Sequence, residues 1–267
     1  MRIHAKAIVD GKAEIGENVE LRPQASIGPA VPRGDDCVIG HGCHIEGHVT
    51  MGENNMLAPY VVLGTPPQDL TYHGQPTELI VGNDNVFREH VTVNIGTVGG
   101  HGVTRIGNRN YLMINSHVGH DCHLEDDILL VNGVLLGGHC HVENGAKLMG
   151  GAACHQYVTV GTQAYVGGLS RIVQDVPPYM IVEGNPSRVR GVNEIGLERA
   201  GFEREVIDQL WDTYKAIYRT RELNRAKIYD KIEDDPDSFE EALILVRALR
   251  RAQNGRHGRY LEGQCRE

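Results

Sequence analysis

Residues 106–172 read IGNRNYLMINSHVGHDCHLEDDILLVNGVLLGGHCHVENGAKLMGGAACHQYVTVGTQAYVGGLSRI. Every sixth residue from Ile106 is Leu112, Val118, Leu124, Leu130, Leu136, Val142, Leu148, Cys154, Val160, Val166 and Ile172, aliphatic except for one cysteine. Four places further on, most hexads carry a small or β-branched residue, such as Val134, Cys140, Ala146, Ala152, Val158 and Ala164. The same period runs towards the N-terminus from Ile3 through Val9, Ile15, Leu21, Ile27, Ile39, Ile45, Met51, Leu57 and Leu63, broken only by Arg33. A period of six matches neither the 3.6 of a helix nor the 2 of an isolated strand. It predicts a mainly β chain, a parallel β-helix in which each hexad is one short strand and a bend. Three hexads close a triangular coil, and coils stack about 4.8 Å apart through strand hydrogen bonds.

The period halts at two places, residues 64–80 (GTPPQDLTYHGQPTELI) and 94–105 (NIGTVGGHGVTR), which read as loops ejected from the solenoid. Rigid scaffolds carry their binding groups on such loops. Residues 1–190 hold 27 of the 33 glycines and 31 charged residues, whereas residues 191–267 hold 30 charged residues in fewer than half as many positions. The chain therefore divides into a β-helix over 1–190 and a charged helical segment over 191–267, with Pro177, Pro178 and Pro186 before the boundary. Three- and four-residue spacing of Leu197, Val206, Ile207, Leu210, Trp211, Tyr214, Ile217 and Tyr218 predicts three or four amphipathic helices covering the last coil. With 3 Phe and 1 Trp in 267 residues, the core must be thin and aliphatic.

The net charge of −9 argues against a nucleic-acid or membrane footprint. No apolar run has the length of a membrane span, and MRIHAKAIVDG has no apolar stretch of signal-peptide length, so a cytoplasmic protein is expected. Cys43, Cys122 and Cys140 fall on the inward fifth position of their hexads and Cys154 on the inward first, which makes them core hydrophobes rather than metal ligands. No metal is expected. His117, His120, His139 and His155 fall on outward or bend positions. Stacking at a spacing of three hexads places Gly138 one coil from His120, and His139 one coil from Asp121. An imidazole, a carboxylate and a glycine N–H on one patch suit acyl transfer: His for proton removal, the carboxylate to hold its tautomer, and the N–H for the oxyanion. No serine or cysteine is poised as a covalent nucleophile, so direct transfer is favoured.

The segments NSHVGHDCH (115–123), PPQDLTYHGQPT (66–77), GGHCHV (137–142), ACHQYVTVG (153–161), GGLSRIVQDVPPY (167–179) and GVNEIGLERAGF (191–202) together resemble the UDP-N-acetylglucosamine acyltransferases, the first enzymes of lipid A biosynthesis. The resemblance spans nearly the full chain. It implies a homotrimer of left-handed β-helices with active sites in clefts between subunits. It implies a 3-hydroxyacyl donor on acyl carrier protein, which brings its own phosphopantetheine so that no separate cofactor is needed. The acceptor that the resemblance implies is the 3-hydroxyl of the sugar of UDP-GlcNAc. By the same likeness His120 is the general base, Asp121 orients it, and the Gly138 N–H binds the oxyanion. Gln68, Asp69, His117 and His139 surround sugar and acyl head, and His155 and Gln156 help bind acceptor or donor. Asn193 and Arg199 meet phosphates, and Gly168 sets acyl length.

Five positions depart from the family pattern. Thr71 stands for a lysine, Asn94–Ile95 for His-Arg, Ile195 for an acidic residue and Ala200 for an arginine. Each departure removes a charge-assisted contact. A 3-amino sugar nucleotide, acylated on nitrogen, therefore remains an alternative acceptor. A γ-class carbonic anhydrase-like protein and a non-enzymatic β-helix are more distant alternatives. In the C-terminal segment, Arg199, Arg204, Arg219, Arg221, Arg225, Lys227, Arg247, Arg250 and Arg251 are candidates to face an acidic carrier protein.

Overall fold

The computed structural model describes residues 2–29, 34–220, 222 and 224–264; Arg33 and Arg221 lie outside the described residues. Two-residue strands recur every six residues and stack into three sheets of eleven, nine and six strands. These are the faces of a triangular prism, a left-handed parallel β-helix. Tyr111–Leu112 pairs with Leu129–Leu130, which pairs with Lys147–Leu148, which pairs with Tyr165–Val166, each three hexads on. The first residue of each hexad points inward: Leu112, Val118, Leu124, Leu130, Val142 and Leu148 are all fully buried. Only one phenylalanine, Phe87, enters this aliphatic core.

The cysteines sit where the hexad put them. Cys43, Cys122, Cys140 and Cys154 are buried and unpaired. Cys43, Cys122 and Cys140 direct their thiols to main-chain oxygens of the following coil, at 3.0–3.2 Å. Burial pushes the Cys43 thiol up to about 11, so it is unreactive at neutral pH.

Three hexads break the small-residue rule at the fifth position and carry asparagine. Asn55, Asn85 and Asn110 stack on successive coils, each buried. The Asn55 Oδ1 accepts from the Asn85 N–H and Nδ2 at 3.0 Å, and the Asn85 Oδ1 accepts from the Asn110 N–H at 2.9 Å. Their Nδ2 groups donate to the main-chain oxygens of Gly82, Gly107 and Glu125. This internal ladder runs through the coils where the spacing is irregular. Val86 pairs with Met56, five hexads back, and Tyr111 pairs with Val86, four hexads and one position back, against three hexads in a plain coil. The first excursion thus adds whole hexads and keeps the phase, while the second shifts it by one. Both are narrower than the sequence suggested, because Val62–Thr65, Glu78–Val81, Thr92–Asn94 and Val103–Ile106 are strands, leaving 66–77 and 95–102.

The segment around the prolines is not a bare linker. Met180–Gly184 continues the eleven-stranded sheet and turns back as the antiparallel strand Ser187–Val192. Five helices follow among the described residues, against the three or four that the spacing predicts: α1 (Glu194–Arg199), α2 (Arg204–Tyr218), α3 (Arg225–Glu233), α4 (Glu240–Asn254) and α5 (Tyr260–Gln264). A second core joins them to the hairpin, with Tyr179, Met180 and Val192 packed against Leu197, Ile207, Leu210, Tyr214 and Leu245. The hairpin receives α1, α2 and α4 through this core, and α5 meets the last coil directly. Asp175, half-buried and pushed up to about 6 by that desolvation, accepts from the Thr159 and Tyr260 N–H groups at 2.8 Å and pins α5 to the prism. No helix among the described residues is long and apolar enough to cross a membrane.

The asparagine ladder gives a direct test of the fold. Asn85→Val should lower unfolding free energy by about 2–4 kcal/mol in a urea titration, because it leaves buried partners on both neighbouring coils unpaired. A loss below about 1 kcal/mol would mean the coils hold register without it.

Candidate active site

One edge of the prism, between the nine-stranded and six-stranded faces, carries every feature that points to chemistry. Residues 66–77 leave the prism there after Val62–Thr65, and residues 95–102 leave there after Thr92–Asn94. On the following coils the same edge carries Gly119–Cys122, Gly137–Cys140 and His155–Val158. The register stacks His120, Gly138 and Gln156 in one column and Asp121, His139 and Tyr157 in the next.

The His120 Nδ1 lies 2.9 Å from the Asp121 Oδ2. A carboxylate partner keeps the proton on Nδ1 and leaves a lone pair on Nε2. The Asp121 side chain is fully buried and the His120 ring nearly so. A Cβ on Gly138 would come within 2.5–2.6 Å of the His120 ring, so only glycine admits this approach. At the edge positions of His120, Gly138 and Gln156 the main-chain N–H makes no ladder bond among the described residues, whereas its neighbours Gly137 and His139 donate along the stack. Gly138 therefore offers an uncommitted N–H beside the imidazole. The His139 ring meets the His120 ring edge-on at 5.0 Å and stacks on Tyr157 at 4.3 Å.

Sequence reasoning missed the groups that hold Asp121. The excursion at 95–102 folds over it. The Thr97 N–H donates to both carboxylate oxygens at 3.0–3.1 Å, the Thr97 hydroxyl to Oδ2 at 2.7 Å, and the His101 N–H to Oδ1 at 2.9 Å. From the other side the Asp121 N–H donates to the Thr104 hydroxyl at 2.9 Å. Burial by itself would raise the Asp121 carboxyl; the bonds from His120 and Thr97 outweigh it and hold it below the usual range. A Cβ on Gly100 would lie 2.5 Å from either oxygen, so the excursion closes tightly. The only signal in the sequence was an interruption rich in glycine and threonine one coil before the pair.

The remaining candidates divide. His117 lies on the adjoining strand with its Nδ1 2.8 Å from the Thr92 hydroxyl, and burial lowers its pKa with help from His120. Burial likewise lowers His139, with Asp121 opposing. Asp69 stands on the first excursion, held low by bonds from the Thr71 N–H and hydroxyl at 2.8 Å, with the imidazoles of His120 and His139 adding to the effect. Thr71, in the family's lysine position, is thus spent on Asp69. Gln68 is exposed on the same excursion, and His155 and Gln156 are exposed at the next coil of the edge. Gly168 is not with them: it sits on another edge, after Tyr165–Val166. Asn193 is buried beyond the last coil, donating to the Gln163 main-chain oxygen at 2.8 Å, and Arg199 is exposed on α1. Ile195 is exposed, and Glu194 cannot replace an acidic group there, because Trp211 and Arg204 hold its carboxylate. Asn94 is buried and donates to Thr65 and Pro66.

Ligand-type atoms of His120, Asp121 and His139 lie within 4.8 Å of one another, a spacing metal sites share. The Asp121 carboxylate already accepts from four donors, the Thr97 N–H and hydroxyl, the His101 N–H and the His120 Nδ1–H, which use its lone pairs. The cluster is built as an imidazole–carboxylate pair.

A β-helix of hexads with such a pair at one edge defines a hexapeptide-repeat acyltransferase. The bacterial transferase hexapeptide family matches residues 34–65, and domain 2 of the UDP-N-acetylglucosamine O-acyltransferases matches residues 175–257. An acyl-[acyl-carrier-protein]–UDP-N-acetylglucosamine O-acyltransferase of Syntrophobacter fumaroxidans is 39% identical over 256 residues, 96% of this chain and 99% of that one. One of Sinorhizobium fredii is 40% identical over 90% of each chain. The crystal structure of the UDP-N-acetylglucosamine acyltransferase of Bacteroides fragilis superposes with a TM-score of 0.89 at 33% identity, over 93% of this chain and 96% of that one. The chain belongs to the acyl-[acyl-carrier-protein]–UDP-N-acetylglucosamine O-acyltransferase family.

Two measurements check the electrostatics. In an NMR titration His117 and His139 should protonate below the about 6.5 of a free histidine, since both rings lose water without a full ion-pair partner. A midpoint above that value for either would contradict the burial described. In Thr97→Val the Asp121 carboxyl should titrate higher than in the parent, and Thr97→Ser should restore it; an unmoved midpoint would leave the hydroxyl without a role.

Proposed function

We propose that the protein transfers a 3-hydroxyacyl chain from acyl carrier protein to the 3-hydroxyl of UDP-GlcNAc, the opening step of lipid A biosynthesis. The observation that carries the reading is the His120–Asp121 pair at 2.9 Å with the Gly138 N–H beside it. In the proposed step the acceptor hydroxyl gives its proton to the His120 Nε2 as its oxygen attacks the thioester carbonyl. Asp121 stabilises the imidazolium that forms. The Gly138 N–H receives the oxyanion. As the carbon–sulfur bond breaks, His120 returns the proton to the thiolate of phosphopantetheine. Atoms and protons balance with no further cofactor, and direct transfer needs no nucleophilic side chain on the enzyme.

Gln68, Asp69, His117 and His139 flank the acceptor and acyl head on this reading, and His155 and Gln156 extend the surface towards the donor. Gly168, Asn193 and Arg199 lie away from His120 within one chain. Their roles in acyl length and phosphate binding belong to a homotrimer, where a neighbouring subunit brings them to the cleft. On this reading the protein acts in the cytoplasm. The departures at Thr71, Asn94, Ile195 and Ala200 concern the grip on the acceptor and leave the pair intact, so the 3-amino analogue is the acceptor to compare.

The test is incubation with a mixed set of 3-hydroxyacyl carrier proteins and UDP-GlcNAc, read by mass spectrometry. An acylated sugar nucleotide is expected, its mass giving the chain length. His120→Ala should lower kcat by about two to four powers of ten with the fold unchanged. A folded His120→Ala variant with most of its kcat would refute the assignment, and product only from the 3-amino acceptor would move the reaction to N-acylation.

A further inference from the structure

Three coils beyond His120, where Gln174 and Asp175 end the same edge of the prism, the hairpin and the helices line a cavity of about 650 Å³. Its floor is aromatic, with Tyr214 and Tyr229 buried and Tyr218 half-buried. Four arginines line it: Arg188 and Arg190 from the strand Ser187–Val192, Arg219 after α2, and Arg225 at the start of α3. The guanidinium of Arg219 lies 5.8 Å from the Tyr214 ring centre, and that of Arg225 lies 5.9 Å from the Tyr218 ring centre.

The pairing of charges singles this cavity out. Elsewhere in the C-terminal segment most arginines are matched, Arg204 with Glu194 and Asp208, Arg247 with Glu240, Arg250 with Asp230 and Glu233, Arg251 with Glu143, and Arg259 with Glu262, while the exposed Arg199 stands by itself on α1, away from the cavity lining. Of the cavity's four, only Arg190 meets a carboxylate, that of Glu183. Arg188, Arg219 and Arg225 have none within 4.0 Å among the described residues. The one acid lining the cavity, Asp175, is committed to the Thr159 and Tyr260 N–H groups. In a chain of net charge −9, three unmatched guanidiniums converge on one concavity.

We propose that this cavity is a second ligand site, for a phosphorylated small molecule with a flat body, of nucleotide size. Guanidinium forks match phosphate oxygens bidentately. The tyrosine floor gives a planar group a face to stack on. The volume lies within the range of small-molecule pockets. A phosphate there would relieve the repulsion among Arg188, Arg219 and Arg225, which the chain itself leaves uncompensated.

The test is isothermal titration calorimetry of the full chain with inorganic pyrophosphate, with ADP as a phosphate carrying a flat body, and with 4′-phosphopantetheine as one without. Saturable binding is expected for ADP, several-fold tighter than for pyrophosphate or phosphopantetheine. Arg188→Gln and Arg225→Gln should each weaken ADP by about tenfold, the usual loss of a charge-assisted contact. His120→Ala should leave ADP binding as it is, which separates this cavity from the His120 site further up the edge. Equal affinity for ADP and phosphopantetheine would remove the flat body from the proposal. ADP affinity unchanged in both arginine variants would overturn the site. So would weakened binding of acyl carrier protein in those variants with neither small probe bound, which would give the arginines to a protein partner.

Discussion

The stacking register of the coils is the constraint on which everything else rests. A main-chain ladder that repeats every three hexads fixes each residue directly beside its counterpart one coil on, with no freedom for a side chain to choose another neighbour. His120 meets Gly138, and Asp121 meets His139, because the ladder allows nothing else. The rigidity has a chemical consequence. Donors and acceptors placed by ladder bonds need no reorganisation when charge develops, the condition under which electrostatic stabilisation is most effective. The fully buried aliphatic column behind the edge keeps those positions fixed.

A solenoid alone cannot bury a carboxylate safely, because a regular coil spends its N–H groups on the next coil. Asp121 therefore needs donors from outside the ladder, and the excursion at 95–102 provides them through Thr97 and His101. The one-place phase shift that this excursion imposes is tolerated because Asn85 and Asn110 bridge the coils across it with side-chain bonds. The internal asparagines and the carboxylate clamp are two answers to one irregularity. The first holds the interior together where the hexad breaks, and the second uses the break to seat a charge.

What was legible in the sequence follows from this division. Ile106 to Ile172 declare the fold because every inward side chain obeys one period, and the His120–Gly138 and Asp121–His139 neighbours follow from counting. Thr97 and His101 were invisible because irregular backbone has no period, so nothing in the residue types said which coil the excursion would fold against. The strand Ser187–Val192 was hidden by Pro177, Pro178 and Pro186, which read as a boundary although the chain continues the sheet and turns. The inward asparagines looked like exceptions to a rule on small residues, and only their bonds show why the exceptions stand together.

The prism also explains why one chain holds only part of the proposed machinery. Each side is a hexad of extended chain, at most about 20 Å from edge to edge. Gly168 lies on a different edge from His120 and more than two coils further along the ladder, a separation no side-chain movement closes. A hinged protein could fold the two together; a β-helix whose every coil is bonded to the next cannot bend back on itself. Groups on separate edges of such a body converge only when a second copy lays its edge alongside. The cleft between subunits in the proposed trimer answers to that geometry: the same ladder that places His120 against Gly138 keeps Gly168 apart from both.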